Sequence, residues 1–134
     1  MPNLPGQITP IVDEVGRIAP GVVIVQLSDN FAESLADRET FYTPYHTLLT
    51  EITAISDAQV VCVGTWSPES VRRDAFISEA AAGAGATFVP ISDLYSDPVN
   101  RAISEGECTD ASVCWHPGDQ GMERIAERII RALD

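Results

Sequence analysis

The chain has 134 residues, 8 basic and 20 acidic, a net charge of -12 and a pI near 4.3. Every basic residue is Arg, and only Arg72-Arg73 are adjacent, so a nucleic-acid backbone or an anionic membrane surface would repel the protein. With 45% hydrophobic and 21% charged residues, residues 1–134 read as one globular domain rather than a disordered segment.

No stretch approaches the ~18 apolar residues of a membrane span. Met1 to Gly6 lacks the charged start and apolar run of a secretory leader. The expectation is a cytoplasmic protein. Three cysteines give no even framework. Cys62 lies in an apolar run and reads as a reduced core residue. Cys108 and Cys114 flank one short loop and could pair, although a reducing compartment favours free thiols.

Taken in order, Ile8, Ile11, Val12, Val15 and Ile18 fall on one side of a helix, with Gln7 or Thr9 near its cap and Pro20-Gly21 as its stop. Residues 21–27 form a continuous β-branched run, which predicts a strand buried on both faces. It ends in Ser28-Asp29-Asn30. Residues 31–40 read as polar loop. Pro44 suits a first helical turn, followed by the stripe Tyr45, Leu48, Leu49, Ile52 and Ile55. His46 falls off that stripe and reads as solvated.

Val60 to Gly64 predicts a second buried strand, closed by Thr65-Trp66-Ser67-Pro68. Ser67 as N-cap with Pro68 in the first turn opens a third helix, carrying Val71, Ala75, Phe76 and Ala80 and ending at Gly83-Ala84-Gly85. Ala86 to Ile91 is a third strand with Pro90 near its end. Residues 92–115 form a long polar connection, and loops of that length are usually functional. The last helix has Asp119 as its expected N-cap and Met122, Ile125, Ala126, Ile129 and Leu133 as its apolar face.

This alternation predicts an α/β fold: a parallel sheet covered on both faces, a three-layer sandwich of flavodoxin-like type. Ligands of such sheets sit beyond the carboxyl ends of the strands. Ser28–Asn30, Thr65–Ser67, Ser92-Asp93 and the turn at His116 should therefore gather there. His116 sits in a Pro/Gly turn immediately before a helix, a sound position for a general base. Asn30 can offer an amide donor to a developing oxyanion. His46 and His116 are isolated and give no metal-ligand spacing, so neither metal nor cofactor is expected. No Gly-rich phosphate loop opens any helix, which disfavours a generic nucleotide-binding module.

At these residues the chain resembles the SGNH (GDSL-type) hydrolases. Gln26-Leu27-Ser28-Asp29-Asn30 looks like their strand-end block with the oxyanion Asn. His116-Pro117-Gly118-Asp119-Gln120-Gly121-Met122 looks like their terminal His-Pro block, continued by Ile125-Ala126, and Ala86 to Asp93 fits the strand between. The resemblance covers residues 20–134, leaving 1–19 as a lead and helix. It implies hydrolysis of short-chain or carbohydrate acetyl esters by a serine mechanism without a metal, with His116 as base, Asn30 as oxyanion donor and a backbone N–H near Ser28.

The chain departs from the family pattern twice. Val113 stands where the family has an Asp three residues before the His, which leaves Asp110 or a backbone carbonyl to orient the imidazole. The family's Gly-Asp-Ser strand and turn are absent, so the first strand of the fold is missing. Either the chain is the rear part of a longer enzyme, or its nucleophile lies elsewhere. Ser28, Ser67 and Ser112 are the candidates, with structural readings as a strand-end residue, an N-cap and a loop residue. The alternative is a catalytically inactive module that keeps the ligand pocket. Without the missing strand, the run 21–27 would be a bare edge, so pairing with another chain, most simply as a homodimer, is expected.

Overall fold

A computed structural model describes residues 4–106 and 108–134. The first element is helix α1 (Leu4–Ile18), which begins earlier than its periodicity suggests and contains Pro10. It ends at Ala19, whose φ of 49° is the left-handed geometry common after a helix. Strand β1 (Val22–Val25), helix α2 (Thr43–Ile55), strand β2 (Gln59–Val63), helix α3 (Val71–Ala84) and strand β3 (Thr87–Val89) follow. Two helices complete the chain, the one-turn α4 (Ala111–Cys114) and α5 (Asp119–Ala132). The protein is thus mixed α/β, with a small open parallel sheet of order β1-β2-β3.

The register explains how the core divides. Val23 lies opposite Val60 and Val25 opposite Cys62, and all four join one apolar cluster with Ile8 and Val12 of α1, Leu48, Leu49 and Ile52 of α2, and Ile77 and Ala80 of α3. Successive strand residues point to opposite faces. Val61 and Val63 accordingly belong to a second cluster with Trp66, Val89, Ile91 and Ile125 of α5.

That alternation corrects the expectation for residues 21–27. Val22 and Ile24 project on the α5 side, but α5 packs on β2 and β3. They remain 40% and 52% exposed, so β1 is buried on one face only. Its outer edge has no strand partner among the described residues.

Other local expectations also shift. Helix α3 starts at Val71 behind Ser70, not at Pro68. It buries Arg73, Ile77, Ala80 and Ala81, whereas Val71 is 79% exposed. Residues 31–40, read as loop, hold a short 3-10 turn (Glu33–Leu35) and most of a wide helical turn (Arg38–Tyr42) capped by Asp37. His46 is half-buried and stacks on Tyr42. Residues 92–105 are three successive 3-10 turns. Cys108 and Cys114 form a disulfide, and Cys62 is a buried free thiol.

Leu49 has no exposed surface and lies where α2 meets the sheet. Leu49→Ala should lower unfolding free energy by about 2–5 kcal/mol, measured by urea denaturation with an unchanged slope.

Candidate functional site

At the carboxyl end of β1 the chain enters a buried polar knot. Ser28 has no exposed surface. Its hydroxyl accepts a 2.7 Å hydrogen bond from the Thr65 hydroxyl, and its carbonyl accepts one from Arg73 Nη1. Arg73 also donates to the Phe31 carbonyl and pairs with Glu33 at 2.9 Å. The Asp74 carboxylate accepts from the Thr65 N–H at 2.8 Å, although burial raises its pKa. This knot fixes the loop after β1 to the start of α3. The Ser28 hydroxyl, one of the candidate nucleophiles, is buried and held by Thr65, the geometry of its reading as a structural strand-end residue.

Trp66, at the end of β2, connects the two sequence blocks. Its backbone N–H donates to Asp29 Oδ1 at 2.8 Å. Its indole Nε1 donates to the Trp115 carbonyl at 2.8 Å. One buried residue thus bonds through its backbone to the residue before Asn30 and through its side chain to the residue before His116. Asn30 itself is exposed in the turn after Asp29. The clustering of strand ends expected from parallel topology is present for these segments.

His116 is exposed, and its backbone is held on both sides. Its N–H donates to the Val113 carbonyl, and its carbonyl accepts from the Ala102 N–H at 2.9 Å. Arg101 and Pro117 form a single antiparallel bridge beside it. Asp110 does not orient the imidazole. Its carboxylate caps α4, accepting from the N–H and the hydroxyl of Ser112. These bonds hold its pKa below the usual carboxylate value and occupy Ser112 as well. Ser67 is half-buried, and its hydroxyl oxygen accepts from the Glu69 N–H.

The turn after His116 is seated on Asn100, a buried residue in the long connection. The Asn100 side-chain amide donates to the Leu94 carbonyl, and its own carbonyl accepts from the Gly118 N–H. Gly118, not Asp119, is the N-cap of α5, and the Asp119 N–H donates to Glu105. A glutamate from the preceding 3-10 turn thus satisfies one of the helix's free N–H groups. Sequence reading missed Trp66, Asn100 and Glu105. Their side-chain partners lie 6 to 49 residues away, outside the helix and strand periodicities.

Beside these turns Trp66, Tyr95 and Trp115 form an aromatic group. Trp66 meets Tyr95 edge-on at 5.8 Å, and Tyr95 stacks on Trp115 at 6.2 Å. Among the described residues, no three His, Cys, Asp or Glu side chains are grouped to hold a metal.

A Cβ at Gly121 would stand 2.1 Å from the Asn100 carbonyl oxygen, an impossible approach to backbone. Gly121→Ala should therefore lower stability by about 1–3 kcal/mol. It should also change the fluorescence of Trp115, six residues before Gly121. Thermal melts and emission spectra check both effects; an unperturbed variant would refute the packing. Comparison with family models, with curated proteins and with solved structures finds no match.

Proposed function

We propose that this chain supplies the base and oxyanion half of an SGNH-like acyl-ester site, on a flavodoxin-like three-layer sandwich that lacks its first strand. The ligand is a short-chain or carbohydrate acetyl ester lying across the strand ends. His116 acts as general base, and Asn30 donates to the carbonyl oxygen as charge develops on it. The observation that supports this reading is the pair of hydrogen bonds made by Trp66, its backbone N–H to Asp29 and its indole N–H to the Trp115 carbonyl, which holds the Asn30 turn and the His116 turn to one residue.

The hydroxyl that attacks the ester comes from a strand laid parallel along the open edge of β1. Its carboxyl end would arrive beside Ser28–Asn30. No cofactor or metal has a role in this chemistry.

A second reading is favoured by the commitment of Ser28 to Thr65 and of Asp110 to Ser112. In it the chain binds an acylated small molecule without turning it over, and the edge of β1 is covered by a second copy. Two-fold pairing of one strand with itself is antiparallel, so the two clefts would lie at opposite ends of the joined sheet. A homodimer would thus protect the edge and add no hydroxyl to either cleft. Such pairing meets little charge repulsion, because residues 18–28 contain no charged side chain.

Two measurements decide between these readings. Hydroxylamine can stand in for the missing hydroxyl in acyl transfer from p-nitrophenyl acetate. The chain should accelerate that transfer, and His116→Ala should lower the acceleration by about 100-fold. Survival of the rate in that variant would remove His116 from its role. No acceleration, together with a thermal shift on adding an acetylated sugar, would support the binding module.

The edge is tested separately by gel filtration with light scattering. The homodimer reading expects a dimer at micromolar concentration, and Ile24→Lys, a charge on the bare face, should give monomer. A monomeric wild-type chain would overturn that pairing.

A further inference from the structure

Arg101 lies in the long connection, bridged to Pro117 beside His116. Of the 8 arginines, Arg17, Arg38, Arg73, Arg128 and Arg131 are each in an ion pair. Arg101 has no ion pair with a described carboxylate. It lies instead against two aromatic rings, its guanidinium carbon 4.8 Å from the centre of Trp115 and 5.2 Å from that of Tyr95. Its Nε is buried and has no hydrogen-bond partner among the described residues.

The carboxylates nearby in the chain are otherwise engaged. Asp93 pairs with Arg128, Asp97 caps the turn before Arg101, Glu105 accepts from the Asp119 N–H, and Asp110 holds Ser112. Glu107 lies outside the described residues. In a chain of net charge -12, a half-buried guanidinium fixed by rings rather than by a carboxylate is held ready for an anion from outside. Cation–π contact orients the group and strips part of its water. The remaining N–H edge keeps the fork that suits a carboxylate or phosphate.

Backbone contacts tie this cation to the cleft. Arg101 pairs with Pro117, and the Ala102 N–H donates to the His116 carbonyl. Trp115, which Arg101 covers, is bonded through its carbonyl to Trp66. We propose that Arg101 recognises an oxyanion, a carboxylate or a phosphate, on the ligand that occupies the cleft beside His116. This rests on the reading that the cleft binds an ester, and it narrows that ligand to an anionic one, such as a half-ester of a dicarboxylic acid or an acylated sugar phosphate.

The test is a binding titration of the full chain followed through its two tryptophans, Trp66 and Trp115, both of which belong to the cluster. The probes are monomethyl succinate for the carboxylate source, methyl phosphate for the phosphate source and dimethyl succinate as the neutral ester, at constant ionic strength. At least one anionic probe should give a saturable change at least tenfold tighter than dimethyl succinate. Arg101→Gln should remove that preference. Arg101→Lys, which keeps the charge and loses the fork, should retain only part of it and guards against a folding defect in the first variant.

If dimethyl succinate binds and neither anion binds better, the role of Arg101 fails while the ester cleft stands. If none of the three probes saturates, both fall. Equal affinity of wild type and Arg101→Gln for the anions would also overturn the assignment.

Discussion

Trp66 is the constraint on which the functional end of this protein depends. Its backbone N–H is held by Asp29 and its indole N–H holds the Trp115 carbonyl, while its ring is buried against Val61, Val63 and Ile125. A buried indole must find an acceptor for its one donor. Here that requirement draws the turn of His116 onto the end of β2. Asn100 completes the seat from the other side, through Gly118 and the space that Gly121 leaves open. The turn that carries the imidazole is therefore positioned by backbone hydrogen bonds of His116 and its neighbours.

The knot below that cleft shows how a plausible catalytic serine becomes a structural one. Ser28, Thr65, Arg73 and Asp74 share a dry space at the junction of both strands and α3, where every polar group needs a partner. Arg73 is 4% exposed, and its charge is balanced by Glu33 and by two loop carbonyls. Removing one member of such a set leaves another without compensation. The same serine exposed at a strand end would be free to react; buried here, it serves to position Asp29 and Asn30.

The opposite side of the sheet is less complete. Val22 and Ile24 face the layer of α5 without being covered by it, and Met122 and Ile130 of α5 are also exposed. An uncharged strand with a bare apolar face, and with no strand partner at its outer edge among the described residues, is a surface that proteins normally cover. The acidic excess is distributed elsewhere, and within the long connection it is largely committed to caps and ion pairs. Arg101, lodged against Tyr95 and Trp115, stands apart from that pattern.

Much of the architecture was legible in the residue order. The three β-branched runs gave three parallel strands, Pro44 and the stripe from Tyr45 to Ile52 gave α2, and Gly85 marked the end of α3, because strand and helix periodicities are local consequences of backbone geometry. The meeting of the segments after β1 and β2 with the turn at Trp115 followed from parallel topology. Burial of one face of β1 against exposure of the other, the capture of the Ser28 hydroxyl by Thr65, the capping role of Asp110, the pairing of Cys108 with Cys114 and the lodging of Arg101 between rings did not. Each depends on contacts between segments distant in sequence, or on which side of a pleat or loop a neighbour arrives, and only the folded chain decides which polar atoms are enclosed and which partners reach them.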